Sequence, residues 1–194
     1  VPLVNKLSQR KLLNKLDIPG PEWLSLSVFK SNELILPSGW RFPLMAKSSL
    51  GGYDGKGTRI INDYNNLSYL LKSVDPKLWF LEKWINYNQE LSIVISRDKY
   101  GKVNIFPIVE TFQLNQICDW ALAPANLENQ VKATANNIAI SLVRELNFVG
   151  VLAIEFFYGD DGLLVNEIAP RTHNSAHLTI EACKSNQFEH QIAI

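Results

Sequence analysis

Cysteine is scarce in this chain: Cys118 and Cys183 stand far apart and in no metal-ligand spacing, so they read as idle thiols in a reducing cytosol. An excess of charge of either sign is also missing. Nineteen basic residues balance nineteen acidic ones, which removes any general attraction to nucleic acid or an anionic membrane, and an anion must then be held by a local site. No apolar run is long enough to span a bilayer, since the longest, residues 149–157, is broken by Gly150 and Glu155. The opening Val1-Pro2-Leu3-Val4-Asn5-Lys6 lacks the charged and apolar regions of a secretory signal. Internal repeats, low-complexity tracts and obvious linkers are absent as well. There is no initiating methionine, and residues 185–194 read as a helix still running at the last residue; the chain is therefore expected to be a fragment.

What remains is an ordinary folding composition, with 46% apolar and 20% charged residues over 194 positions. Leu7, Leu12, Leu13 and Leu16 predict a helix, which Pro19-Gly20-Pro21 ends. Strands are predicted over 23–29, 42–46, 59–62, 79–85, 90–96 and 103–109, with a turn at 97–101 joining the last two. Helices are predicted over 64–71, 176–183 and 127–146, the last with Val131, Ala135, Ile138, Leu142 and Leu146 on one face. Residues 149–157 and 163–169 form a hairpin around Gly159-Asp160-Asp161-Gly162. Hairpins mixed with separate helices predict an α+β architecture.

Two stretches carry chemistry. In Gly51-Gly52-Tyr53-Asp54-Gly55-Lys56-Gly57, four glycines let backbone N–H groups turn towards an anion, and Lys56 adds a charge. The segment is not a P-loop, because Leu50 stands where that motif needs its first glycine. Ile60 likewise breaks the dinucleotide fingerprint. A loop across a hairpin, closing over phosphates, fits the spacing; a plain flexible turn has the same composition.

The second stretch is the last hairpin, where Glu155 and Glu167 have position 161 as their midpoint. A simple register sets them opposite each other with Cβ atoms roughly 5 Å apart. Facing carboxylates need a positive charge between them, and Mg²⁺ suits such a pair when phosphates complete its shell. A bulge would shift the register and separate them, leaving two unrelated acids. Arg171, His173 and Asn174 then crowd hydrogen-bond donors beside the pair, as a site for a second anion needs.

The runs Pro43-Leu44-Met45-Ala46-Lys47, Gly51 to Gly57, Glu82 to Glu90, Glu155-Phe156-Phe157 and Asn166 to Ser175 occur in the order seen in ATP-grasp enzymes. The glycine run and Asn-Glu-Ile-Ala-Pro-Arg-Thr-His-Asn-Ser resemble, in particular, the 5-(carboxyamino)imidazole ribonucleotide synthetase branch. Phe106-Pro107-Ile108-Val109-Glu110 and Ser185-Asn186-Gln187-Phe188-Glu189 add to the likeness. The resemblance implies two α+β lobes with antiparallel sheets enclosing a nucleotide, a small lobe over 1–80 and a large lobe over 81–194. It implies that Lys6 and Lys47 approach the phosphates of ATP beneath the loop formed by Gly51, Gly52, Tyr53, Asp54, Gly55, Lys56 and Gly57. It places Glu82, Lys83, Trp84 and Ile85 along the adenine and Glu90 on the ribose, with Glu110 and Asn166 also in the nucleotide site. Glu155 and Glu167 would bind Mg²⁺, while Tyr53, Asp54, Arg171, His173 and Asn174 would face bicarbonate and aminoimidazole ribonucleotide. The implied activity is ATP-driven carboxylation of that amine in purine biosynthesis, by a cytoplasmic enzyme that is a homodimer when full-length.

Departures from the branch are equally visible. Lys6 stands where arginine is usual, which keeps the charge and loses the fork geometry. Ala176 and Leu178 replace glycine and tryptophan, Gln191-Ile192-Ala193 lacks an expected arginine, and Ala169 replaces the asparagine of other ATP-grasp ligases, as this branch does. The branch's N-terminal and C-terminal domains have no counterpart, so the isolated chain is expected to be poorly active. Two other readings stay open, a different ATP-grasp carboxylase or ligase and a non-catalytic nucleotide-binding module.

Overall fold

A computed structural model describes residues 2–29, 34–51, 57–114 and 117–194. The chain divides into two compact units, Val1–Asn86 and Tyr87–Ile194.

In the first unit, helix α1 (Lys6–Lys15) is capped by Asn5, whose side chain accepts from the Ser8 N–H. Strands β1 (Trp23–Ser25), β2 (Leu44–Ser48), β3 (Thr58–Ile61) and, after helix α2 (Tyr64–Ser73), β4 (Trp79–Lys83) form an antiparallel sheet in the order β1-β4-β2-β3. Alternation along β2 sends Leu44 and Ala46 into a core with Leu67 and Leu70 of α2, Leu26, Ile61 and Leu81. Met45 and Lys47 therefore face the other side. The strand predicted over 23–29 stops after Ser25, because that hydroxyl accepts from the Ser27 N–H and starts a 3₁₀ turn.

The second unit is built on β5 (Gln89–Arg97), β6 (Val103–Ile105), β7 (Val109–Leu114) and β8 (Ile117–Leu122), then helix α3 (Asn129–Glu145) and the hairpin β9 (Gly150–Gly159) and β10 (Gly162–Ala169). The sheet order is β10-β9-β5-β7-β8, with β6 paired to β5. The strand predicted over 103–109 is two strands, since Pro107 cannot donate to a ladder and the chain turns there from β5's upper half to its lower half. Strand β8 was not predicted. The helix predicted over 176–183 is a 3₁₀ turn at Asn174–Ala176 followed by α4 (Thr179–Ala182), and α5 (Gln187–Ala193) follows.

Strands β5 and β9 lie mid-sheet and are buried on both faces over much of their length. Helix α3 packs on β5 and β10 through Ala135, Ile138, Ala139, Leu142 and Val143. On the other face, Val94, Val151, Ala153 and Ala169 meet Phe106, Ala176, Cys183 and Ile194. That face is apolar only where the C-terminal segment covers it. Further along the same strands it carries Glu90, Ser92, Glu155 and Glu167. Both cysteines are free, and among the described residues no helix is long and apolar enough to cross a membrane.

The hairpin turn is tight, with Gly159 paired to Gly162 around Asp160 and Asp161, and Gly162 sits at φ 81°. A Cβ there would meet nothing within 4 Å, so a Gly162→Ala change tests backbone strain alone. It is expected to cost about 1–2 kcal/mol in urea denaturation; an unchanged midpoint would show that the turn relaxes into another conformation.

Candidate functional site

The first unit holds a buried charge cluster. Lys47 on β2 and Glu82 on β4 are diagonal neighbours on one sheet face, because the register pairs Lys47 with Phe80 and Met45 with Glu82. The Lys47 Nζ lies 2.8 Å from one carboxylate oxygen of Glu82, and the Arg10 Nε donates to the other. Glu82 is only 2% exposed. Burial alone would favour its neutral form, yet the two cations hold its carboxyl below the usual range. Lys47 is pushed down from its ordinary value, first by burial and then, against the pull of Glu82, by Arg10 and Lys6. Two cations thus converge on one carboxylate, with Lys6 close enough to act on Lys47, an arrangement that favours a further anion. Helix α1 is fixed there by its own backbone, the Lys6 N–H donating to the Ser49 carbonyl at 2.8 Å.

At the base of the glycine segment, the Ser48 N–H donates to the Gly57 carbonyl at 2.8 Å. Gly51 and Gly57 have φ of 71° and 99°, the left-handed region that glycine tolerates. Gly52, Tyr53, Asp54, Gly55 and Lys56 lie outside the described residues. Lys83 pairs with Glu22 at 2.6 Å, Trp84 is exposed and Ile85 half-buried.

The second unit carries the paired carboxylates. Glu155 is opposite Glu167, as predicted, but by a different route. The two-residue turn sets a register that would have put Asn166 opposite Glu155; one extra residue between Val165 and Glu167 then shifts it. The bulge expected to separate the acids is what aligns them. Asn166, the surplus residue, turns its amide towards Glu155, donating to Oε2 at 3.4 Å. Ser92 of β5 is opposite Glu155 on its other side, so Ser92, Glu155 and Glu167 form one row across three strands. Among the described residues no three metal-binding side chains gather. Mg²⁺ needs only one or two carboxylates with phosphates, so the pair fits that ion.

His173 overlies this row. Its Nε2 is 3.4 Å from the Glu155 Oε1, and its Nδ1 is 2.9 Å from the Ser175 Oγ. Burial first, and then the nearby Arg171, push its pKa down to about 4, so the imidazole is neutral at pH 7 and its contact with Glu155 is not an ion pair. The backbone of His173 is held by the buried Gln187, whose amide accepts from the His173 N–H and donates to its carbonyl, each at 2.8 Å. Gln187 is in turn placed by a capping box between Asn186 and Glu189 that opens α5. Arg171 and Asn174 are exposed on either side.

Glu90 is one step along the same face, where it accepts from the Tyr87 hydroxyl at 2.5 Å. Burial raises the Glu90 carboxyl above its usual range, and Tyr87 stacks on Phe157 with ring centroids 4.5 Å apart. Glu110 is not with this group. It is opposite Leu91, hence on the other face, and is held by Gln89 at 3.0 Å. Leu178 lines a small apolar pocket with Val94, Phe106 and Val109 behind Ser92 and Ser175. Sequence reasoning missed Arg10, Ser92 and Tyr87. Arg10 was within reach, being one helical turn from Lys6 on the same face of α1.

Known proteins resemble this chain in sequence and fold. Residues 11–188 match the ATP-grasp domain model. The chain is 40% identical over 190 residues to the N5-carboxyaminoimidazole ribonucleotide synthase of Synechococcus elongatus, covering 98% of this chain and 48% of that protein. It is similar to a carboxyaminoimidazole ribonucleotide synthase of Aspergillus clavatus solved with ATP (TM-score 0.88, 32% identity, 98% of this chain and 50% of that one). A structure from the same organism with ADP and 5-aminoimidazole ribonucleotide aligns at TM-score 0.85 with 30% identity, covering the same shares. The chain spans about half the length of the relatives it matches. With two α+β units of antiparallel sheet, a domain model matched over nearly its whole length and these structural neighbours, the chain belongs to the ATP-grasp family.

Proposed function

We propose that this chain is the ATP-grasp portion of a cytoplasmic purine-biosynthetic enzyme that carboxylates 5-aminoimidazole ribonucleotide with bicarbonate at the expense of ATP. The observation that carries the reading is the row of Glu155 and Glu167 with His173 over it, and with Arg171 and Asn174 exposed close to that histidine in the chain, which supports both a divalent-cation site and donors for a second anion. The names of its relatives supply the substrate. In this reading Lys47 and Lys6 bind ATP phosphates, the 51–57 loop with Tyr53 and Asp54 closes over them, and 82–85 receives the adenine. Glu90 holds the ribose. Glu110, on the opposite sheet face, acts only through Gln89, the neighbour of Glu90 in β5. The whole enzyme is a homodimer.

The reaction has two steps. A bicarbonate oxygen attacks the γ-phosphorus and ADP leaves, giving carboxyphosphate; the ribonucleotide amine then attacks its carboxyl carbon, phosphate leaves and the amine gives up a proton. Mg²⁺ bound by Glu155 and Glu167 supplies charge neutralisation for the polyphosphate. The chain's own residues orient: Arg171 and Asn174 take the bicarbonate, and neutral His173 donates a hydrogen bond without adding charge. Positioning and electrostatic stabilisation supply most of the acceleration.

Three outcomes are expected. In calorimetry, Mg²⁺ should strengthen ATP binding, and Glu155→Gln with Glu167→Gln should abolish that gain; no gain from Mg²⁺ with the native residues sinks the metal assignment. In the full-length protein carrying these residues, ADP release with bicarbonate should depend on 5-aminoimidazole ribonucleotide. ATP binding without that dependence would favour a different acceptor or a non-catalytic module. Glu82→Gln should cost about 3–5 kcal/mol of stability at pH 7, because it leaves Arg10 and Lys47 buried without their counter-charge. Glu82's folded pKa is depressed, so its contribution is full above roughly pH 4.3 and is lost as pH falls through the lower folded value. The variant should therefore lose less stability than the native chain over that acid range, measured by urea denaturation.

A further inference from the structure

A line of polar contacts runs through the second unit from its interior to the carboxylate row, hydrogen-bonded as far as His173. The hydroxyls of Ser92 and Ser175, each 1% exposed, are 2.7 Å apart. Ser175 Oγ is 2.9 Å from the His173 Nδ1, and the His173 Nε2 is 3.4 Å from Glu155. Neither serine meets the reacting groups assigned above.

The direction of these bonds is set by the neighbours of the two ring nitrogens. The backbone N–H of Ser175 is directed at Nδ1 at 3.4 Å, and an amide can only donate. At the other end Nε2 lies 3.4 Å from a carboxyl oxygen of Glu155, a neighbour that suits a proton on Nε2 better than a lone pair. Both ends therefore favour the same imidazole, with the proton on Nε2 and the lone pair on Nδ1. The Ser175 hydroxyl then donates to Nδ1 and must accept from elsewhere, and Ser92 is the hydroxyl within reach. The donors then point one way, from Ser92 through Ser175 to the Nδ1 of His173, each hydroxyl bond polarising the next, and the Nε2–H is left facing Glu155.

We infer that Ser175, backed by Ser92, is a positioning residue that fixes His173 as its Nε2–H tautomer, so that His173 meets the site as a hydrogen-bond donor and not as a proton acceptor. The consequence for the reaction rests on the function proposed above: the proton lost by the attacking amine goes elsewhere, and His173 steadies an anionic oxygen. The tautomer itself is a property of this chain and is independent of that reading.

The test is nitrogen NMR on the chain with ¹⁵N-labelled histidine at neutral pH, His173 being identified by the signals that vanish in His173→Gln. His177 and His190 serve as internal reports of folding. A proton-bearing, pyrrole-like Nε2 and a pyridine-like Nδ1 are expected for His173. Ser175→Ala should draw the two His173 shifts towards each other as the second tautomer gains population, with His177 and His190 unmoved. Ser92→Ala should do the same to a smaller degree. A native His173 with its proton mainly on Nδ1, or on both nitrogens, overturns the inference. So does a Ser175→Ala chain whose His173 shifts match the native ones. Should Ser175→Ala disturb His177 and His190, the native spectrum and Ser92→Ala still decide the matter. None of these readouts requires turnover, so failure of the proposed reaction would leave them intact.

Discussion

Two carboxylates facing each other on adjacent strands are a liability that a fold must be built to hold. Glu155 and Glu167 are in that position because β10 carries a surplus residue, and the surplus residue is itself one of the groups around them. Most of the second unit follows from this. The apolar half of the same face is buried under the C-terminal helices, and that burial anchors the segment bearing His173 above the acidic half. Gln187 fixes the backbone of that segment and Ser175 its ring. Hydrophobic packing thus sets where the segment sits, while directional bonds set which atoms it presents.

The first unit solves the opposite problem. There cations are gathered, and a single buried carboxylate keeps them together. Burial works against every charge in the cluster, so its members persist only jointly. The two units are therefore electrostatically complementary in composition, one rich in buried cations and one in carboxylates, although the net charge of the whole chain is zero. Zero net charge conceals that separation, and only the spacing of particular residues reveals it.

Local periodicity made most of the fold legible. The amphipathic face of α3, the hairpin of β9 and β10 and the start of β5 all follow from spacing, because each is one regular element with one buried side. Strand β8 was hidden because an extra residue beside Trp120 breaks its alternation against β7. The carboxylate pair was readable from the hairpin midpoint, although two irregular steps, a tight turn and a bulge, combine to produce it. Contacts between distant positions left no local trace. Arg10 meets Glu82 across 72 residues, and Ser92 meets Ser175 across 83. Serine and arginine are ordinary surface residues until the topology buries them, so no window of sequence could mark these four as partners.

The bulge at Asn166 gives the hairpin an unusual accounting of length. Between its turn and its carboxylates, β10 holds one residue more than β9 can pair. Keeping that length while straightening the ladder would swing Glu167 onto the face of Ile154, among the apolar side chains beneath α3. Removing Asn166 outright would instead leave Glu155 and Glu167 opposed and take away only the amide beside them. For this strand a deletion is the milder lesion and a smoothing of its irregularity the graver one, the reverse of what holds in a regular ladder.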